Sequence, residues 1–406
     1  MQQRNNIYLK GFSHNNQVKL IKGGNEYFSM MLQLINSANN IIHLQTYIYE
    51  NDETGKCITN ALIEASHRKV KVYLLVDGYA SQSLNSTFIK EIKKAGIHFR
   101  FFEPLFKSKS FYFGRRLHHK VLLTDNNYGL IGGINISNRY NDMPDKKAWF
   151  DFSILLEGAS IQELCKICWN TWFGFKRNHI HYNCSGNNKN VPLNIDVHAD
   201  VRIRRNDWIR RKNEISETYI EMLYYAQKEV TIICSYFLPG RVLRRILKNT
   251  ANKGIKIDII IAGPSDIWIA KNAERWLYDF LLRNKINIYE YQPSVLHAKM
   301  AYCDDEWLTI GSYNINDIST YASIELNVDV RNRIFVETVK NEIEEIKRIN
   351  CIKISNKKHL NDKNAIKQLI RWLSWHTFQI IFHLVTFYYK RINISKKHID
   401  QSHHTY

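Results

Sequence analysis

A strand-sized motif occurs twice in this chain with the same internal spacing, and a sequence that carries it twice is constrained to build two like halves. The first copy reads His118-His119-Lys120, then Asp125 after four residues and Gly132-Gly133-Ile134-Asn135 after six more. The second reads His297-Ala298-Lys299, then Asp304 after four and Gly311-Ser312-Tyr313-Asn314 after six. The run of elements ahead of each copy is also alike. Hydrophobic spacing in the first half predicts helix over 30–38, strand 41–49, helix 56–68, strand 70–76, helix 87–94 and strand 97–102, with the motif on strands 120–123 and 128–131. The second half predicts helix 215–227, strand 230–235, helix 242–252, strand 255–262, helix 268–283 and strand 286–291 before its motif. Strands alternating with helices in this way argue for an α/β sheet covered by helices on both faces. The polar, asparagine-rich stretch 179–200, with Gly186 and Pro192, is the expected boundary.

In each copy the HxK spacing sets His and Lys on one face of a strand, because side chains alternate with period two. His118 with Lys120, and His297 with Lys299, are therefore expected to face one ligand. An ammonium beside an imidazole repels a metal cation, so no metal is expected. The same lysine neutralises phosphate oxygens while the histidine serves as nucleophile or proton carrier. The Gly-x-x-Asn segments, with Gly133 and Asn135 in one copy and Ser312 and Asn314 in the other, let backbone approach the ligand and add amide donors. One copy is half a site. Two copies across a pseudo-twofold axis would surround a single phosphorus, where one imidazole attacks and the other protonates the departing alcohol and then deprotonates the incoming hydroxyl.

The chain has 406 residues, enough for two domains with cores of their own, and at 45% hydrophobic and 13% aromatic its composition is that of a globular protein. Its formal charge of +19 favours an anionic partner, either nucleic acid or an anionic lipid leaflet, without choosing between them. The seven cysteines are odd in number and scattered, which suggests reduced thiols in a cytoplasmic setting. Cys165 and Cys168 form the sole CxxC, and with no second pair to complete a zinc site they read as core packing. Residues 1–11 are polar and show no apolar export run.

The HxK-x4-D-x6-G[GS]xN pattern, complete at both positions, resembles that of the phospholipase D superfamily. Within it the chain is most similar to bacterial cardiolipin synthases, over roughly 15–345. The supporting segments are His43-Leu44-Gln45-Thr46-Tyr47-Ile48, Val76-Asp77-Gly78, Ser235-Tyr236-Phe237-Leu238-Pro239-Gly240, Ala262-Gly263-Pro264-Ser265-Asp266 and Tyr289-Glu290-Tyr291. The resemblance implies two pseudo-symmetric α/β/α sandwich lobes with mixed sheets, an active site at the lobe interface, and no cofactor. The lobes are expected at 1–180 and 201–348, with a linker at 181–200 and a basic, aromatic C-terminal segment at 349–406. By resemblance His118 is the nucleophile and His297 the general acid and base. Asp125 and Asp304 complete the catalytic motifs, though a structural role is open to them. The acidic residues that orient the histidines are expected to be Asp151 and Asp329, the latter one methylene shorter than the family's usual Glu. Phe150 stands where many relatives carry a basic residue.

The reaction so implied joins two phosphatidylglycerols into cardiolipin through a phosphohistidine, releasing glycerol. Hydrolysis or headgroup exchange is the close alternative. A superfamily nuclease is a more distant one, which leaves nucleic acid as a disfavoured partner and an anionic phospholipid membrane, on the cytoplasmic face of a bacterial cell, as the favoured one. Many cardiolipin synthases begin with two transmembrane helices; this chain looks more like the branch without that anchor. Residues 372–389 carry no charge, are rich in Trp, Phe and Tyr, and show a polar stripe at His376, Gln379, His383, Thr386 and Lys390. They suit a helix lying in the membrane surface, with a spanning helix or one packed on protein as alternatives.

Overall fold

The two halves join edge to edge in one mixed sheet, and the join is itself symmetric. The computed structural model describes residues 10–104, 115–175, 183–186, 197–316, 323–355, 364–381 and 383. The first half contributes β1 (Ser13–Lys22), β2 (Ile41–Thr46), β3 (Lys71–Asp77), β4 (His98–Phe102), β5 (Arg116–Leu117), β6 (Lys120–Thr124), β7 (Tyr128–Gly132) and β8 (Phe152–Gly158). The second contributes β9 (Val197–Asp207), β10 (Lys212–Asn213), β11 (Glu229–Cys234), β12 (Lys256–Ala262), β13 (Asn287–Tyr291), β14 (Lys299–Cys303), β15 (Trp307–Gly311), β16 (Ser323–Arg331) and β17 (Cys351–Lys353). Neighbour by neighbour the order is β4-β3-β2-β6-β7-β8-β1, then β9-β16-β15-β14-β11-β12-β13-β17. Each strand of the first list has its counterpart in the second, and the antiparallel β1–β9 pair lies where the two lists meet.

The helices are α1 (Asn25–Ser37), α2 (Glu53–His67), α3 (Ser86–Lys94), α4 (Ile161–Trp172), α5 (Glu214–Tyr225), α6 (Arg241–Asn252), α7 (Trp268–Trp276), α8 (Tyr278–Arg283), α9 (Arg333–Asn350) and α10 over 365–381. Helices α1 to α3 bury their apolar stripes in one core with Ile42, Leu44, Leu74 and Leu122. A matching core forms under α5, α6 and α8 around Ile232, Ile259 and Trp307. The other sheet face packs α4 and α9 in one cluster shared by both halves, from Leu164 and Ile167 to Val336 and Ile343. Asp52 and Asn332 cap α2 and α9, each accepting from the amide three residues on.

The predicted helix 268–283 is broken at Leu277, whose amide turns back to the Glu274 carbonyl. The break lets Tyr278 enter the core and donate to Glu290. Strands β1, β8 and β16 escaped the sequence reading, as did β9. That last strand begins at Val197, inside the stretch expected to be linker, because it pairs with both β1 and β16. The cysteine expectation is also corrected. Residues 183–186 lie over the β6–β7 turn, where Asn126 Nδ2 donates to the Asn183 carbonyl, and Cys184 is joined to Cys165 of α4 by a disulfide. Cys168 is buried and free.

Two aromatic residues of the C-terminal helix depart from their expectation. Trp375 and Phe378, expected in the membrane surface, face inward and pack on Leu238, Ala273 and Leu277. Residues 382 and 384–406, with Phe382 and Lys390, lie outside the described residues. Among the described residues no helix is long and apolar enough to cross a membrane.

Both motif aspartates sit at turns. Asp125 and Asp304 have φ near +52°, in the left-handed region that Asp tolerates. Asp125 accepts from the amides of Asn39, Asn40 and Ile41 at 2.7–3.0 Å, fixing the entry to β2. Asp304 accepts from those of Gln227, Lys228 and Glu229 at 2.9 Å, fixing the entry to β11. Charge-assisted bonds of this kind stabilise by about 1.5–3 kcal/mol where partly shielded from water. Asp125→Ala or Asp304→Ala is therefore expected to cost about 2 kcal/mol in urea unfolding; an unchanged midpoint would show that the clamps carry no weight.

Candidate active site

The backbone just ahead of each HxK strand is bonded to the opposite half. The His118 amide donates to the Ile324 carbonyl at 3.0 Å, and the His297 amide donates to the Phe150 carbonyl at 2.7 Å. Phe150 and Ile324 each precede a carboxylate that reaches a histidine across the join. His118 Nδ1 meets Glu325 Oε2 at 2.8 Å, and His297 Nδ1 meets Asp151 Oδ2 at 2.6 Å. The register makes the two acids equivalent. Gly132 pairs with Ser153 and Gly311 pairs with Asn327, and each carboxylate stands two residues before its motif glycine's partner.

This corrects the assignment of Asp329. That side chain instead accepts from Arg202 Nε and Nη2 at 3.1 and 2.8 Å and from Thr218 Oγ1 at 2.9 Å, in a buried cluster between β9, β16 and α5. The Glu that the family pattern calls for is present at 325, four residues upstream. Asp329 shares only a short apolar-acid string with the pattern, whereas the strand register from the motif glycines leads to Glu325. Asp125 and Asp304 are corrected as well. Their side chains hold the turns described above and take no part in this cluster.

The other expected residues do converge. Lys120 Nζ donates to the His118 carbonyl and lies 5.3 Å from the centre of the Tyr47 ring. Lys299 Nζ donates to Ser235 Oγ at 2.9 Å and to the His297 carbonyl. Asn135 accepts from the Ile48 amide at 3.0 Å and donates to Tyr140 Oη at 2.9 Å, and that hydroxyl lies 3.5 Å from His297 Nε2. Asn314 keeps a buried amide oxygen that meets no donor among the described residues. Tyr47 and Ser235 lie in segments that support the resemblance but were given no role there, and Tyr140 carries no spacing signal. A cavity of about 540 Å³ touches Tyr313 and Ile315 of the second motif, but neither histidine lines it.

The electrostatics join the two halves into one site. Burial pushes both imidazoles below their ordinary value. Lys120 and Lys299 each add to this at both rings, while Glu325 opposes it at His118. Burial also brings Lys120 down to about 7, against the pull of Glu325. The two acids differ. Burial pushes Glu325 up, but His118, Lys120 and the Ser312 hydroxyl together hold it below the ordinary carboxylate value. Burial raises Asp151 to about 7, and Lys299, the Phe152 amide and Lys120 offset it only in part. His118, by charge and hydrogen bond, lowers Glu325 most, and the Ser312 and Ser323 hydroxyls both donate to it. Ser312 Oγ donates to Glu325, whereas a Cβ at Gly133 would stand 2.4 Å from Asp151 Oδ2, so no hydroxyl can occupy that place.

Comparison with known proteins identifies the family and the fold. The sequence model of the family described as cardiolipin synthase, PLD-like domain, matches residues 31–150 and 219–347. Cardiolipin synthase B of Shigella flexneri is 30% identical over 346 residues, covering 83% of this chain and 81% of that one. Cardiolipin synthase B of Escherichia coli K12 gives the same identity and coverage. The crystal structure of phosphatidylserine synthase from Haemophilus influenzae superposes with a TM-score of 0.73 at 15% identity, over 95% of this chain and 98% of that one, which shows a shared fold. Family match, similarity over four-fifths of each chain and fold together place this chain in the cardiolipin synthase family of phospholipase D-like phosphatidyltransferases.

Proposed function

We propose that the protein makes cardiolipin from two molecules of phosphatidylglycerol at the peripheral surface of a bacterial membrane, on its cytoplasmic side, through a phosphohistidine on His118. The observation that carries the reading is the pair of crossed histidine–carboxylate contacts, each joining one half to the other. With Glu325 ionised, Nδ1–H of His118 donates to it and the Nε2 lone pair is left for phosphorus. With Asp151 near neutrality, the Asp151–His297 pair holds a proton that Nε2 of His297 can deliver.

The steps follow from those states. Nε2 of His118 bonds to phosphorus as the bond from phosphorus to the glycerol oxygen breaks. His297 protonates that oxygen and glycerol leaves. A hydroxyl of the second phosphatidylglycerol then gives its proton to His297 Nε2 and its oxygen attacks phosphorus, breaking the P–N bond and freeing His118. Lys120 and Lys299 balance the phosphoryl charge, and the Asn135–Tyr140 contact holds the ring face of His297 in place.

His118→Ala and His297→Ala are each expected to lower turnover by roughly four orders of magnitude while the fold persists. With labelled phosphatidylglycerol, an acid-labile label on the protein should be absent in the His118 variant and form far more slowly in the His297 variant, which lacks the acid for glycerol release; retained lipid transfer in either would refute the paired mechanism. Glu325→Gln should lower kcat by about 10²–10⁴, whereas Asp329→Asn should lower the unfolding midpoint and leave kcat of the folded enzyme near wild type. The reverse result would restore Asp329 to the site. Below about pH 7 the Asp151–His297 pair holds its extra proton, and above that value the proton is lost. The rate of glycerol release is thus expected to fall as pH rises through this point, and Asp151→Asn should make that limb shallower, leaving the part due to Lys120.

A further inference from the structure

The second half carries apolar and basic side chains on a surface that the reaction does not use. Trp268, at the start of α7, is 64% exposed, and Ile267 and Ile269 beside it are also exposed. On α10 the inward face holds Arg371, Ser374 and Trp375, while Ile366, Leu369, Leu373 and Ile380 recur on the outward face and are exposed. Helix α6 sets Arg241, Arg244, Arg245 and Lys248 at i, i+3, i+4 and i+7, opposite its buried Ile246, Leu247 and Thr250, and holds no acidic residue. Residues 364–381 hold none either.

These three elements are contiguous. Trp375 of α10 packs with Ala273 of α7 and with Leu238, and the Arg244 guanidinium lies 5.1 Å from the centre of the Trp375 ring. They also border the site. Strands β11 and β12 are parallel, so their C-terminal ends share one edge, and there Ser235 holds Lys299 while Tyr236 donates to Asp266, the residue before Ile267. The matching position of the first half is acidic instead, with Glu50, Asp52 and Glu53 at the start of α2.

We propose that this face, formed by the Ile267–Trp268–Ile269 knuckle, the outward side of α10 and the basic stripe of α6, docks on an anionic lipid bilayer and presents the second half's side of the site to it. Apolar side chains rimmed by arginines and lysines match the acyl boundary and the charged headgroups in turn. A second copy of the chain is a poorer fit, since a twofold contact would set the basic stripes against each other. The proposal rests on the lipid reading of the site for its choice of partner.

The test is cosedimentation with vesicles of phosphatidylglycerol in phosphatidylcholine, against phosphatidylcholine alone, for the full chain and two variants, W268S/I269S and R241Q/R245Q/K248Q. The parent should bind the anionic vesicles and release them at high salt, and each variant should lose about tenfold in partitioning. Turnover of dispersed short-chain phosphatidylglycerol should be unchanged in both, because these side chains do not touch the site. Parent-like binding by both variants would overturn the proposal, as would a parent dimer that W268S/I269S dissociates without change in vesicle binding. If the parent bound the vesicles and the variants did not, yet none turned over phosphatidylglycerol, the docking face would stand and the reaction assignment would fall.

Discussion

Each half of this enzyme is incomplete without a carboxylate from the other, and that exchange ties fold to chemistry. Glu325 reaches His118 and Asp151 reaches His297, while the amide of each histidine bonds to the carbonyl preceding the opposite carboxylate. A buried imidazole–carboxylate contact is sensitive to separation, because little solvent screens it. Any sliding of one half against the other would break both contacts together. The continuous sheet through β1, β9 and β16, and the core shared by α4 and α9, resist such sliding.

Symmetric backbones hold asymmetric electrostatics. The two acids occupy equivalent register positions, yet Glu325 receives a hydroxyl from Ser312 while Asp151 lies against Gly133, where there is no room for one. Against burial, His118 lowers Glu325 most, with Lys120 and the Ser312 hydroxyl adding to it, whereas burial dominates at Asp151. A two-step displacement needs one histidine free to attack and the other able to give up a proton. The GS of the second motif adds a hydroxyl donor that the GG of the first lacks, so the two halves are not electrostatically alike. The aspartates of the same motifs, by contrast, are used identically in both halves, as clamps on the turns into β2 and β11.

Much of this was legible in the residues. The duplicated spacing announced two like halves. Its period-two HxK placed His118, Lys120, His297 and Lys299 together, and the strand–helix alternation gave the central layers. What escaped had weak local signals. Strand β9 lies in a stretch rich in His, Arg and Asp, and is a strand because it fills the join between β1 and β16. Trp375 and Phe378 looked like membrane residues because aromatic content does not tell which face of a helix finds a protein partner; the apolar patch on Leu238 and Leu277 settled that. The disulfide of Cys165 required residues 183–186 to cross the β6–β7 turn, which no spacing encodes.

The sequence by itself determined which groups meet at the join, since histidine and lysine recur at the same strand spacing in both halves. Only the tertiary structure decided which acid serves which histidine. Glu325 and Asp329 lie on the same face of one strand and are equally plausible on paper. The choice depends on where the opposite half falls, and burial then fixes the outcome: Arg202 and Thr218 claim Asp329, leaving Glu325 as the carboxylate within reach of His118.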